Sequence, residues 1–384
     1  MADGFTAYIG LGSNLGDREG SIRAACETLG SAGDIQVTRV STLQETQPLG
    51  GMAQPGFLNG VAEVRTTLRP APLLQRLKAT EAALGREPHG KWDPRPIDLD
   101  LLLFGGEVVR EPGLIVPHPE MHLRSFVLDG LCELDPKLVH PVLGEPVSEL
   151  SRRLGGGNFM LDPDAPQLVS IAGVIGVGKS TLTQKLADVM QGEILFEPYD
   201  TNPFLPQVYA GKHELALDCQ LYFLVNRAEQ LARGRLPGGR LYLTDYVFEK
   251  ELIYARRLLN ADQLRLYESI YRPFAQRIVR PVLVVYLQDS PSECLQRIRR
   301  RNRPYEQKIT LEFLSALDKA YRRLFANWEE CPVLRVPAWR LTGYSEVAVE
   351  HVVRQVEAYL ARDGRSEVMQ AQASNTDASS KDHR

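Results

Sequence analysis

Eight residues, Gly173-Val-Ile-Gly176-Val-Gly178-Lys179-Ser180, constrain the fold of this chain more than any others. They fit the pattern G-x-x-x-x-G-K-[ST]. The apolar run 168–172 precedes them, and a helical pattern with Leu182, Leu186, Val189 and Met190 on one face follows. Such a turn belongs between a strand and a helix. Its glycines let backbone N–H groups close around phosphate, and the helix N-terminus adds partial positive charge. Lys179 would neutralise the outer phosphates and Ser180 would offer an oxygen to Mg²⁺. A glycine-rich turn without nucleotide is the plain alternative; the full match and both flanks favour the phosphate cradle. Further apolar runs at 194–196, 241–243 and 282–287, separated by long helical stretches, predict a parallel, doubly wound α/β sheet.

The first half of the chain has a different pattern. An apolar strand at 7–11 runs into Gly-Ser-Asn-Leu-Gly, and 35–46 and 57–67 alternate with a period of two, as half-buried antiparallel strands do. Pro70 opens a helix carrying Leu73, Leu74, Leu77 and Leu84, 97–104 is a strongly apolar strand, and another helix follows Met121. This mixture predicts an α+β domain, an antiparallel sheet with helices on one side. Between the halves, 151–167 contains three consecutive glycines, Pro163 and Pro166, and reads as a linker. The expected domains are therefore 1–155 and 168–362, joined by a linker at 156–167. After 363 the chain turns to Ser, Asp, Gln and Lys, which predicts a disordered tail.

Composition narrows the partners. The formal net charge of −3 gives no global field favouring nucleic acid or an anionic membrane. No apolar run approaches the roughly 18 residues of a membrane span, and the opening residues lack the basic and apolar regions of a secretory signal. Five scattered cysteines have no metal-ligand spacing and read as free thiols of a reducing cytoplasm.

In the second half, Glu197-Pro198 follows the second strand, placing a carboxylate at the carboxyl end of the sheet, where such folds bind ligands. Tyr209 and Gln220 fall on successive helical stretches, and Asp245 ends the third strand. Arg297, Arg299, Arg300, Arg301 and Arg303 crowd one stretch before Glu306. Such guanidiniums repel one another unless a polyanion arrives, though an arginine-rich loop can also be a solvated surface. No Asn-Lys-x-Asp and no Leu-Ser-Gly-Gly segment is present, which argues against a GTPase and a transport ATPase.

Over 167–360 this constellation resembles the deoxynucleoside kinase family. The resemblance implies that Glu197 takes the proton of the sugar 5′-hydroxyl, that Tyr209 and Glu306 hold the 3′-hydroxyl, and that Gln220 reads the base edge with help from Arg227. It makes Lys179, Asp245, Arg299 and Arg301 catalytic, and it gives ATP to Gly173, Gly176, Gly178, Lys179, Ser180, Thr181 and Arg303, with the arginine run as a lid. The family commonly has Arg after the acid at the third strand's end; here Tyr246 follows Asp245, so the transferred phosphate needs another cation, with Arg299, Arg301 and Arg303 as candidates. Gln220 suits purine or cytosine, and the resemblance leans toward purine. It also implies a homodimer through helical faces of the kinase domain.

In the first half, Asp98 and Asp100 flank Leu99 inside an apolar strand and so share one face. Two carboxylates there repel and resist desolvation unless a cation neutralises them; a solvated edge strand is the alternative. Lys91-Trp92-Asp-Pro-Arg95-Pro-Ile-Asp98-Leu-Asp100, Gly10-Leu-Gly-Ser-Asn14, Thr46-Gln-Pro48-Leu49-Gly50, Gln54-Pro-Gly-Phe57-Leu-Asn59, Val116-Pro-His118 and Arg124-Ser-Phe126 together resemble 6-hydroxymethyl-7,8-dihydropterin pyrophosphokinase. That family implies a ferredoxin-like α+β domain. In it, Asp98 and Asp100 hold Mg²⁺, and Arg86, Trp92, Arg95, His118 and Arg124 bind ATP and the departing AMP. Thr46, Pro48, Leu49, Phe57, Asn59 and Phe126 bind the pterin, the two rings stacking on it. The segment 87–91 is expected to close over ATP.

The expected protein is a cytoplasmic bifunctional enzyme of two domains with Mg²⁺ and ATP serving both. Its partners are small molecules (ATP, hydroxymethyl-dihydropterin, a deoxynucleoside), without nucleic acid or membrane. The alternative makes one half a nucleotide-sensing regulator of a single catalytic half.

Overall fold

The structure, a computed structural model, describes residues 4–49, 53–87 and 93–361. The chain divides into two compact units, 1–160 and 161–384. Gly50, Lys91 and Trp92, the segment 88–92 and the tail from 362 lie outside the described residues.

In the first unit the elements run β1 (Phe5–Ser13), α1 (Arg18–Gly30), β2 (Ile35–Val40), β3 (Gln44–Thr46), β4 (Phe57–Thr66), α2 (Pro70–Ala83), β5 (Asp98–Phe104), the small hairpin β6 (Val109–Glu111) and β7 (Leu114–Val116), α3 (Ser125–Leu134), a second hairpin β8 (Val139–His140) and β9 (Glu145–Pro146), and α4 (Val147–Leu154). The main sheet is antiparallel in the order β2-β4-β1-β5, with β3 also paired to β4. The alternation expected over 35–46 is thus broken into two short strands on the same neighbour.

One face of this sheet, carrying Ala7, Ile9, Leu11, Ala62, Val64 and Leu99, buries Ile22, Ala25 and Leu29 of α1 and Leu73 and Leu77 of α2. Burying each such leucine contributes roughly 1.5–3 kcal/mol. Helices were expected on one side only, but α3 packs on the other: a Cβ on Gly130 would lie 2.7 Å from Val61, whose side chain points opposite to Ala62. That second face also carries Gly10, Gly12, Asn59, Asp98 and Asp100. Within the expected linker, Asn158 Oδ1 accepts from the Ser125 backbone N–H at 2.8 Å and its hydroxyl at 3.0 Å.

In the second unit the elements are β10 (Gln167–Ala172), α5 (Lys179–Met190), β11 (Glu193–Leu195), α6 (Leu205–Tyr209), α7 (Ala216–Gln230), β12 (Leu241–Thr244), α8 (Lys250–Leu258), α9 (Ala261–Ala275), β13 (Leu283–Gln288), α10 (Pro291–Arg301), α11 (Leu311–Ala326), β14 (Val333–Pro337) and α12 (Glu346–Glu357). All five strands are parallel, in the order β11-β12-β10-β13-β14. Every residue of β10 is buried, as a strand covered on both faces requires.

Three details differ from expectation. β14 is a fifth strand, registered with Val284↔Val333. Val189 is 55 % exposed, because α5 buries a stripe through Leu182, Thr183, Leu186, Ala187 and Met190 that leaves it at the rim. Leu311 is 46 % exposed; it opens α11 ahead of the packed row Leu314, Leu317, Tyr321 and Phe325. Among the described residues no helix is long and apolar enough to cross a membrane.

Candidate active sites

The pairing of β1 with β5 sets Gly10 opposite Asp100 and Gly12 opposite Asp98. A Cβ on Gly12 would lie 3.1 Å from Asn59 Oδ1 and 3.6 Å from the Asp98 side chain. The Gly-Leu-Gly of one strand therefore clears the face that the Asp-Leu-Asp of its neighbour occupies.

The acids are already surrounded by cations. Arg86 donates to Asp98 Oδ1 at 2.5 Å and to Glu81 Oε1 at 2.5 Å, while Arg95 lies 3.3 Å from Asp98 Oδ2. Arg124 approaches Asp100 at 3.8 Å and pairs with Glu120 at 2.7 Å. Burial pushes the Asp100 pKa up, yet His118, Arg124, Lys78 and Arg86 together bring it below the usual carboxylate value. Burial lowers the pKa of His118 despite Asp100, and its Nδ1 accepts from the Glu120 backbone N–H at 3.2 Å. Glu81, 3 % exposed, was not singled out from the sequence. It accepts from Lys78 at 2.9 Å and from the Leu99 backbone N–H at 2.7 Å, fixing the end of α2 to the acidic strand. Two carboxylates on one face are hard oxygen donors, a set that suits a divalent cation retaining waters and phosphate ligands.

Around this face the other expected residues take their places. Asn59, buried, donates to Thr46 Oγ1 at 2.7 Å, and Phe57 stands opposite Thr46 in the β3–β4 register. Phe126 is in the first turn of α3, and Pro48, Leu49, Phe57 and Phe126 are half-buried. Asn14 accepts from the Arg95 backbone N–H at 2.7 Å and donates to Gln54 at 3.2 Å, joining three of the sequence segments. A cleft of ≈ 130 Å³ is lined by Leu15, Arg86, Asp93 and Arg95.

In the second unit the turn 173–178 feeds α5. Gly178 has φ 105, and a Cβ there would lie 1.9 Å from Tyr344 Oη. Only glycine takes that backbone without strain. The Ser180 hydroxyl donates to Asp245 Oδ2 at 2.5 Å, and Asp245 Oδ1 accepts from the Glu197 backbone N–H at 2.9 Å. Burial lowers the pKa of Lys179, whose Nζ donates to Val174 O at 3.0 Å.

Glu197 is gripped by two cations. Lys250 Nζ donates to Oε1 at 2.8 Å and Oε2 at 2.6 Å, and Arg227 bonds both Glu197 and Glu251. Burial raises the Glu197 pKa, but Arg227 and Lys250 outweigh it and hold the group far below the usual carboxylate range. Arg227 also stacks on Phe223, 4.5 Å from the ring centroid, and Glu251 accepts from the Tyr267 hydroxyl.

A cavity of ≈ 640 Å³ gathers these groups: Gly176, Lys179, Ser180, Glu197, Asp245 and Lys250 line it together with Tyr209, Gln220, Arg227 and Glu306. Tyr209 stacks with Tyr305, centroids 6.2 Å apart, and burial raises its pKa well above the ordinary value. The arginine run is mostly helical rather than a loop: Arg297, Arg299, Arg300 and Arg301 end α10, and Arg303 follows it. Arg301 and Arg303 line the cavity, paired with Glu306 at 2.8 Å and with the Tyr199 hydroxyl at 2.5 Å. Arg299 instead donates to the carbonyls of Gln307 and Ile309, the latter at 2.8 Å. Lys250, Glu251 and Tyr254 were not singled out from the sequence. The stretch Thr-Asp-Tyr-Val-Phe-Glu-Lys held the only signal, a lysine four residues beyond Tyr246.

Antiparallel sheet with paired acids, and parallel sheet with a phosphate cradle, define two phosphotransferase domains. Family models agree: 7,8-dihydro-6-hydroxymethylpterin-pyrophosphokinase matches residues 8–136 and deoxynucleoside kinase matches residues 169–361. The first half is 40 % identical over 144 residues to a 2-amino-4-hydroxy-6-hydroxymethyldihydropteridine pyrophosphokinase of Aquifex aeolicus, covering 38 % of this chain and 89 % of the relative. It is 46 % identical over 128 residues to the enzyme of the same name from Bacillus subtilis, covering 33 % and 77 %. A solved deoxyadenosine kinase from M. mycoides with bound dATP is similar to half of the chain: 23 % identity, TM-score 0.43, covering 50 % of this chain and 99 % of that one. The chain belongs to both families, and joins an ATP-using pterin pyrophosphokinase domain to an ATP-using deoxynucleoside kinase domain.

Proposed function

We propose that both sites are catalytic, each with the residues of its own unit. In the first, the 6-hydroxymethyl group of the dihydropterin attacks the β-phosphorus of ATP and AMP departs. Phe57 and Phe126 bracket the pterin, Asn59 and the backbone near Thr46, Pro48 and Leu49 meet its amide edge, and Arg86, Arg95, His118 and Arg124 hold the phosphates. In the second, Glu197 takes the proton of the deoxynucleoside 5′-hydroxyl and the γ-phosphoryl group moves to the oxygen. Tyr209 and Glu306 hold the 3′-hydroxyl, Gln220 faces the base, and Lys179, Arg301 and Arg303 contact the phosphates.

Asp98 and Asp100 in one site, and Ser180 beside Asp245 in the other, are oxygen donors fit for Mg²⁺. Bound there, the ion would neutralise the triphosphate charge. The placing of Arg299 against backbone carbonyls supports a role in shaping the turn before Glu306, and Arg227, paired with two acids, supports Glu197 as much as the base pocket. Leu266 of α9 and Val225 of α7, 50 % and 40 % exposed, support a homodimer through the kinase domain. The five free cysteines support work in the cytoplasm.

The observation that carries the reading is the ≈ 640 Å³ cavity holding cradle, base and sugar-facing groups together, matched in the other unit by two acids on one cleared face. The test is product analysis with ATP and Mg²⁺, offering hydroxymethyl-dihydropterin and each of four deoxynucleosides separately. AMP with the pterin and ADP with a deoxynucleoside are expected. ADP from none of the four would remove the second activity.

A further inference from the structure

Glu197 carries two cations, and they are not equivalent. Arg227 also holds Glu251, which the Tyr267 hydroxyl supports, so Arg227 keeps a carboxylate partner whatever happens to Glu197. Lys250, 5 % exposed, is different: among the described residues Glu197 is its ion-pair partner, reached through both oxygens. The Tyr254 ring lies 5.2 Å from Nζ to the centroid, and the positive charges of Arg227 and Lys179 also act on the ammonium. The side chain lines the same cavity as Lys179 and Ser180.

Charge conservation then decides what Lys250 does. During transfer the 5′-O–H bond breaks and its proton goes to Glu197. The 5′-oxygen bonds the γ-phosphorus, and the bond to the β–γ bridging oxygen breaks, its electron pair leaving with ADP. Glu197 passes from charge −1 to 0 just as an anionic phosphoryl group arrives on the oxygen beside it. The buried ammonium loses the counter-charge of its ion-pair partner among the described residues at that moment, and uncompensated buried charge is costly. The arriving phosphoryl oxygens supply the replacement. Tyr246 cannot compete for this role: its ring is buried in the core cluster and its hydroxyl donates to Gln230 at 2.6 Å. Arg301 and Arg303 are already paired, with Glu306 and with the Tyr199 hydroxyl, whereas Lys250 is bound to the base itself.

We propose that Lys250 is a catalytic residue of the nucleoside kinase site, handed from Glu197 to the phosphoryl group as that group reaches the sugar 5′-oxygen. This rests on the reading of Glu197 as the base. A cation that meets the product phosphate but not the substrate hydroxyl favours the transition state and the monophosphate over the bound deoxynucleoside, and so acts on kcat rather than on KM.

The experiment uses the full chain as wild type, Lys250→Met, Lys250→Arg and Glu197→Gln, with whichever deoxynucleoside the wild type turns over fastest and its 5′-monophosphate. Lys250→Met is expected to lower kcat by about 100-fold, the scale of one lost transition-state donor. The KM for the deoxynucleoside stays within about threefold, as loss of an interaction made only in the transition state requires. By calorimetry the variant binds the monophosphate roughly 10–100-fold more weakly, the loss of one charge-assisted hydrogen bond, and the unphosphorylated nucleoside as before. Lys250→Arg recovers part of kcat. A kcat within about threefold of wild type in Lys250→Met would overturn the proposal, as would equal weakening of nucleoside and monophosphate, which marks a structural role. Glu197→Gln tests the underlying reading separately: if it turns over like wild type, Glu197 is not the base, and the monophosphate comparison alone then decides for or against Lys250.

Discussion

The hydroxyl of Ser180, in the first turn of the helix behind the phosphate cradle, donates to Asp245 at 2.5 Å, and the other oxygen of Asp245 takes the backbone N–H of Glu197. One carboxylate thus sets the distance between the phosphate-binding turn and the residue assigned to the sugar hydroxyl. Asp245→Asn keeps one acceptor but turns an N–H₂ group toward one of two donors. The expected result is a fall of about 10²-fold in ADP formation with a deoxynucleoside, the scale of a lost electrostatic contact in such a site. AMP formation with the pterin in the same chain stays at the wild-type rate. Equal loss of both products would mean general unfolding instead.

The first unit makes a complementary prediction. Asp98 is held by Arg86 and Arg95, and Asp100, near Arg124 on the same half-buried face, has its pKa brought below the usual carboxylate value. Asp98→Asn and Asp100→Asn are each expected to cut AMP release by about 10²–10³-fold and to shift its Mg²⁺ titration to higher concentration. The deoxynucleoside kinase rate in the same preparations stays unchanged. A variant with a normal Mg²⁺ titration would remove that aspartate from the metal site.

What could be read from the sequence was local. The turn 173–180 carries its own geometry, because glycine at positive φ and a lysine opening a helix are fixed by neighbours in the chain. Asp98 and Asp100 were legible because a period of two puts them on one face, and Glu197 and Asp245 because they follow apolar strands. Lys250 and Glu81 were hidden for the opposite reason. Each is a charged helical residue of a kind that usually faces water, and only packing turns Lys250 onto Glu197 and Glu81 onto Leu99. The fifth strand, 333–337, does not read as an apolar run because Arg335 interrupts it and Pro337 closes it. Arg299 looked equivalent to Arg301 by spacing, yet it faces the carbonyls of the following turn.

A buried histidine gives the first unit an acid limit. His140, 4 % exposed, accepts from the Leu143 backbone N–H at 3.2 Å and meets His122 edge-on, centroids 5.6 Å apart. Burial, reinforced by His122, pushes its pKa down to about 3 from 6.5. The unfolded chain therefore binds a proton below pH 6.5 that the folded unit refuses. Stability is intact above that pH and falls as pH drops from about 6.5 toward 3, by up to about 1.4 kcal/mol per pH unit. The urea concentration that halves pyrophosphokinase activity should accordingly be lower at pH 5.5 than at pH 7. His140→Gln, which cannot take up the proton, should flatten that difference even if it lowers both midpoints; an unchanged slope would acquit His140.

Lys250 predicts the opposite limit in the second unit. Burial, opposed by Glu197 and assisted by Arg227 and Lys179, lowers its pKa from 10.5 to about 8. A lysine whose folded pKa is lowered loses its proton in the native state first, so the ammonium that grips Glu197 is present below pH 8 and disappears as pH rises through it. The kinase kcat should fall above about pH 8 with the slope of one proton, while AMP formation from the pterin in the same samples does not follow that fall. Arginine stays protonated throughout this range, so Lys250→Arg should hold its reduced kcat flat where the wild type declines. If wild type and Lys250→Arg decline together, the titrating group is elsewhere, and the first place to look is Lys179, whose pKa burial also lowers.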